Sequence, residues 1–130
     1  MIEHCIPIDI YRDQLWLVLP VDHKSALSWL HRKGCDKPKH VHELKSADGL
    51  SVRTKSIGSV IFLTRWESTP EMHGILAHEA LHAARDILND RGVREKRTHE
   101  EATTYLQQFL IERALMKLTP TKQTKTKQTK

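Results

Sequence analysis

Between Pro70 and Gly92 the chain has essentially one option. Leu76, Ala80, Ala84, Ile87 and Leu88 recur at helical spacing. With His78 as origin and about 100° per residue, they occupy one arc from about 160° to 280°. Ser68 or Thr69 can cap the start, with Pro70 in the first turn and Glu71 three residues after Ser68. The helix runs to about Arg91, where Gly92 closes it. A long helix with one apolar face needs a surface to cover, and the rest of the chain has to supply it.

The segments before it are short and mostly strand-like. Ile6, Ile8 and Ile10 alternate with the period of a half-buried strand, and Leu15 to Leu19 is a second candidate, stopped by Pro20. Leu50 to Thr54 alternates weakly. Val60 to Leu63 is stronger, bounded by Gly58 upstream and by Glu67, Ser68 and Pro70 downstream. Ser25 to Lys33 predicts a helix striped by Ala26, Leu27, Trp29 and Leu30, with Gly34 at its end. Residues 35–49, with Pro38 and Asp48-Gly49, read as polar loop or a poorly ordered edge. A second long helix starts near Thr98 and reaches about Leu118, before Pro120. The pattern predicts an α+β domain with a short mixed N-terminal sheet and two successive long helices.

Residues 1–118 are expected to form one domain, since 130 residues suit a single core. No apolar stretch approaches a membrane span, so no membrane partner is expected. Glu3 and His4 stand where a signal peptide carries positive charge, which points to the cytoplasm. Cys5 and Cys35 are too few for a disulfide framework and read as reduced thiols. The net charge of +5 is misleading: residues 121–130 hold four lysines and no acid, leaving about +1 for the rest. Residues 119–130 therefore read as a disordered Lys/Thr/Gln tail. That tail lacks the arginine and aromatic residues favoured by single-strand binders, so nucleic acid is not expected as a partner. Trp16, Trp29 and Trp66 lie on separate segments and read as core or rim packing.

His78 and His82 lie one turn apart on the same face of the first long helix. Two imidazoles at that spacing can bind one zinc ion, and the intervening Glu79 can act on a water beside it. On the wheel His82 falls near 40°, Asn89 near 20° and Arg85 near 340°, away from the apolar arc, with Glu79 at its border near 100°. The same five residues also arise by chance on an amphipathic helix with two solvated histidines. A catalytic zinc site needs a third protein ligand. Glu101 is the candidate on the second helix, where Ala102, Tyr105, Leu106, Phe109 and Met116 span about 40° to 140° from it. His99 and Glu100 compete for the role. Thr98 and Glu101 also fit a capping box, in which Glu101 folds back onto its own helix start.

His78-Glu79-Ala80-Leu81-His82, the helix end Asn89-Asp90-Arg91-Gly92, and Glu101-Ala102 with Tyr105 resemble the gluzincin metallopeptidases. The likeness is to the very small minigluzincins and to compact zincin-like proteins encoded by bacteriophages, and it covers roughly residues 59–118. It implies a zincin-like domain with one zinc ion per chain, held by His78, His82 and Glu101. It further implies Glu79 as general base, hydrolysis of peptide bonds, and a protein or peptide as substrate. In that group a strand shortly before the metal helix forms the upper rim of the cleft and pairs with extended substrate; Val60 to Thr64 occupies that place. The sequence departs from the thermolysin type at Glu100 and Tyr105, where that type has Asn and Asp, and it offers no assignable transition-state stabiliser. Tyr105 or Asn89 could stand in for the Asp that orients a ligand histidine.

A second reading is a non-catalytic module stabilised by zinc, its fourth position closed by His99, Cys5 or a member of the cluster Cys35, His40 and His42. That cluster could also be a second metal site, or simply an exposed polar loop.

Overall fold

A computed structural model describes residues 1–36, 38–93 and 100–118. The segment 119–130, expected as a disordered tail, lies outside the described residues, as do Thr98 and His99. Four strands form one mixed sheet: β1 (Ile2–Ile8), β2 (Asp13–Leu19), β3 (Gly49–Arg53) and β4 (Ser59–Leu63), in spatial order β1-β2-β4-β3. β1 pairs antiparallel with β2, and β3 with β4, while β2 and β4 run parallel with Leu17 opposite Ile61. The helices are α1 (His23–Arg32), α2 (Pro70–Asp90) and α3 (Glu100–Leu118). The domain is therefore α+β with a four-stranded mixed sheet.

The sheet is covered on both faces, which explains why β4 reads as a continuous apolar run rather than an alternating one. Leu17, Ile61 and Leu63 pack under α2 and α3 with Leu76, Ala80, Ile87, Leu106 and Leu110. Val18, Val60 and Phe62 face the other way, onto Ala26, Trp29 and Leu30 of α1 and onto Val41 and Leu44. Trp29 meets Trp16 and Phe62 edge to face, each with 5.7 Å between ring centres, so two of the three tryptophans do belong to one cluster. Trp66 stands apart, stacked on His73.

Several boundaries differ from expectation for identifiable reasons. β1 ends at Ile8, and Ile10 sits in a 3-10 turn (Asp9–Tyr11), 83% exposed. α1 begins earlier than Ser25 because Asp22 and Ser25 form a capping box: the Ser25 N–H donates to Asp22 Oδ1 at 2.8 Å, and the Asp22 N–H to Ser25 Oγ at 2.9 Å. The polar stretch 35–49 contains a 3-10 helix, Lys39–Lys45, because Val41 and Leu44 share one buried face at its spacing. Thr69 caps α2, accepting from the Met72 N–H, whereas Ser68 Oγ pairs with His73 Nε2 at 3.2 Å. Gly92, at φ 79°, supplies the left-handed residue that ends α2.

One ionic hub fixes how α2 meets the sheet. Arg53 on β3 donates twice to the Asp13 carboxylate, at 2.7 and 3.0 Å, and once to Asp90 at the end of α2, at 2.7 Å. Arg91 adds a bond to Asp13 at 3.1 Å. Burial alone would raise the Asp13 pKa, but the hydrogen bonds from Arg53 and the Gln14 N–H and the charges of both arginines outweigh it and hold the pKa below its usual value. Strands β2 and β3 and the C-terminus of α2 are thereby tied at one point.

Candidate metal centre

The amphipathic register of α2 turns its apolar arc to the sheet and leaves His78 and His82 on the exposed ridge. Their rings lie at 80° to each other, with centres 4.7 Å apart, and the two Nε2 atoms are 3.2 Å apart. Two nitrogens sharing a tetrahedral zinc at Zn–N distances of about 2.0–2.1 Å are separated by about 3.3 Å. The pair thus already stands at the spacing of two zinc ligands. An N–H···N hydrogen bond has the same length, and either way both ring nitrogens are aimed at one place. By this test the imidazoles fit two positions of a zinc site.

Glu79 is the unusual member of the motif. It is buried, at 8% exposure, whereas the flanking histidines are exposed. Its side chain lies against β3, with Cγ close to Gly49 and the Ser51 backbone amide near enough to act on the carboxylate. Burial raises its pKa above the ordinary 4.5; the charges of His78 and His82 and the Ser51 amide act the other way, and Glu43 adds to the rise. Ser51 Oγ is also buried, with no hydrogen-bond partner among the described residues.

Close approach of α2 to β3 depends on Gly49. A Cβ there would come within 2.8 Å of Ile75 Cγ2, 3.2 Å of Glu79 Cγ and 3.3 Å of Leu63 Cδ2. The Ile75 methyl is carried on a branched, stiff Cβ and cannot swing away cheaply. Gly49→Ala is therefore expected to cost about 1–3 kcal/mol, the usual range for overpacking. Equilibrium denaturation measures this, and an unchanged midpoint would show that helix and strand are less tightly apposed.

The rim of the cleft is not the strand expected. β4 (Val60 to Leu63 with Ser59) is paired on both sides, by β2 and β3, so it has no free edge for a substrate backbone. Among the described residues, the unpaired edge beside Glu79 belongs to β3. The weak alternation of Leu50 to Thr54 was the available signal, and it is weak because only Leu50 and Val52 face the second core.

The third ligand candidate stands differently from the histidines. The buried stripe of α3 is Thr103, Leu106, Leu110 and Ala114, at about 140° to 220° from Glu101. Glu101 is exposed and opposite that stripe, not beside it; Tyr105 and Met116, placed on the apolar face by sequence, are 67% and 59% exposed. The small Thr103 and Ala114 are what let α3 pack this way round. A hydrogen bond ties α3 to the turn of α2 just before the motif: Gln107 Nε2 donates to the Ala77 carbonyl at 3.0 Å. Among the described residues no three His, Cys, Asp or Glu side chains are grouped to hold a metal. The structure thus brings His78, His82 and Glu79 together and leaves Glu101 apart. Tyr105 lines a groove formed with β1 and Asn89 a small pocket at the end of α2. Cys35 turns to Ser56 Oγ and the Lys33 carbonyl, and both cysteines are free thiols. Asp86, which sequence reading passed over, lies one turn beyond His82; burial raises its pKa against the opposing charges of Arg53, His82 and His40. Its signal was the spacing from His82.

No helix among the described residues is long and apolar enough to cross a membrane. No family model matches the chain, and no curated protein or solved structure matches it.

Proposed function

We propose that this chain is a small zinc-dependent metallopeptidase of zincin-like fold. The observation that carries the reading is the buried carboxylate of Glu79, set between two converging imidazoles and a free sheet edge. A solvated, incidental His-Glu-x-x-His would leave its glutamate in water. A purely structural zinc site, closed by four protein ligands, has no use for a desolvated acid beside it.

In this reading His78 and His82 hold the ion. Glu101 is the third donor this reading calls for; it is exposed and makes no ion pair among the described residues, but it stands opposite the buried stripe of α3, so reaching the two histidines requires the start of α3 to shift. A divalent ion there supplies Lewis acidity, lowering the pKa of water and polarising a carbonyl. The chain's own residues do the rest. Glu79 takes the proton of the attacking water and passes it to the nitrogen of the departing amine. Its raised pKa suits both halves of that transfer. The β3 edge offers backbone groups to an extended peptide, which would run beside Glu79 as an added strand. The alternative, a non-catalytic zinc-stabilised module, shares the histidines but not the proton transfer.

The test is metal content together with hydrolysis of an unfolded protein substrate. One zinc per chain is expected, with cleavage abolished by a chelator and restored by added zinc. A chain that takes up no zinc, or that cleaves equally well with chelator present, sinks the proposal.

A further inference from the structure

A groove of about 670 Å3 lies on the far flank of α3, between that helix and the end of β1 with its 3-10 turn. Its size falls in the range of about 300–1,000 Å3 that accommodates ligands. The floor and walls are largely apolar, with Ile8 and Ile10 on one side and Leu106, Phe109 and Tyr105 on the other; Asp9 is the one carboxylate among the described residues of the lining. Ile10 is 83% exposed and Tyr105 67%, side chains of a kind that monomers seldom leave together in water. Gln107 and Thr103 point from α3 toward α2, so the groove and the histidine pair lie on different sides of this helix.

One end of the groove is positively charged. Arg113 and Lys117 line it, and neither has an acidic partner among the described residues. Arg113 rests 5.0 Å above the Phe109 ring. Lys117 is near enough to β1 for its charge to be felt at His4 and Cys5. Beyond Leu118 the sequence continues with four more lysines and no acid.

These features select the occupant. Residues 119–130 have no apolar side chain for the floor, and their lysines repel the cationic end. A second copy seated groove to groove would offer Arg113 and Lys117 a single lining carboxylate, Asp9, for two cations. An added β-strand is handicapped because Pro7, in the edge strand β1, has no N–H to give. An amphipathic helix with apolar residues on one face and carboxylates beside them satisfies floor and rim together. We propose that this groove docks such an acidic amphipathic helix of another protein, with apolar anchors on Ile10, Tyr105 and Phe109 and carboxylates on Arg113 and Lys117.

The probe is a labelled model helix of about 18 residues built from Leu, Ala and Glu, with Leu at i, i+3, i+4 and i+7. Its twins are a Lys-for-Glu version and a scrambled version, and binding to the full chain is followed by fluorescence anisotropy. Saturable binding of the acidic helix is expected, at least about tenfold tighter than either twin, a difference of about 1.4 kcal/mol. Ile10→Glu should weaken it at least tenfold, and Arg113→Glu with Lys117→Glu should reverse the preference toward the lysine helix. All three side chains are exposed, so an unchanged melting curve will show that the variants fold. Equal binding of the scrambled helix, or no saturation by about 1 mM, overturns the proposal. So does sedimentation of the chain with phosphatidylglycerol vesicles that the acidic helix cannot compete away, or dimerisation that Ile10→Glu abolishes.

Discussion

Glu79→Gln is expected to take up zinc as the unaltered chain does and to cleave peptides about 10²–10⁴-fold more slowly, the contribution typical of a positioned proton-transfer group. Glutamine keeps the volume beside β3, but it cannot accept the water's proton. The same variant carries a second, independent signature in the metal-free protein. The fold raises the Glu79 pKa, so it favours the protonated acid. That contribution to stability is fully present below pH 4.5 and declines as pH rises through the folded value. Glutamine has no such decline. Metal-free Glu79→Gln should therefore melt above the metal-free parent at pH 7 to 8, and the gap should close toward pH 4. Full activity in a zinc-loaded Glu79→Gln chain would remove Glu79 from the chemistry. A parent that is no less stable at neutral pH than the variant would remove its burial from the argument.

His78→Ala and His82→Ala form the second large expectation. Loss of an outer partner to a ligand histidine weakens a metal site about 10–100-fold, and loss of the ligand itself should exceed that. Both variants are expected to lose stoichiometric zinc and all cleavage above background. Both positions are exposed on α2, and alanine is the best helix former, so the fold should survive within about 0.5 kcal/mol. Calorimetric zinc titration beside a denaturation curve separates the two effects. Zinc retained at full affinity by either variant would show that the two ring nitrogens, 3.2 Å apart, meet through a hydrogen bond alone.

Much of the scaffold is legible in the sequence because helix α2 enforces its own pattern over many turns. Pro70, Gly92 and the Leu76–Leu88 stripe leave no strand alternative. The sheet was harder. Val60 to Leu63 is apolar throughout, which marks a strand buried on both faces but does not say which neighbours it has. Pairing order is a long-range property, so the sequence points to Val60 to Thr64 as the rim, although the weaker Leu50 to Thr54 forms the strand whose edge is unpaired among the described residues. The 3-10 helix went unread because Val41 and Leu44 are only two apolar positions among histidines and charges. On α3 the wheel was turned the wrong way for a plain reason. Tyr105, Phe109 and Met116 are larger than Thr103 and Ala114 and dominate any count of apolar residues, yet close helix packing selects the small ones. Glu79 is a mixed case: its place at the border of the apolar arc is legible in the sequence, but its burial against β3 is not, because the approach of Gly49 is a long-range contact that no local pattern encodes.

The parallel seam between β2 and β4 governs how this chain reaches its final form. Each of the two antiparallel pairs joins neighbours in sequence, one across the Asp9–Tyr11 turn and one across the bend in which Thr54 bonds Gly58. Such hairpins assemble in microseconds. Their union brings Leu15 opposite Ser59, across an excursion of about forty residues that includes α1, and that closure must bear the loop entropy before any pairing rewards it. Two preformed ribbons zipped along one late interface would make that interface the kinetic bottleneck. Substitutions at Leu17 or Ile61 should then slow refolding more than equally buried changes inside either ribbon.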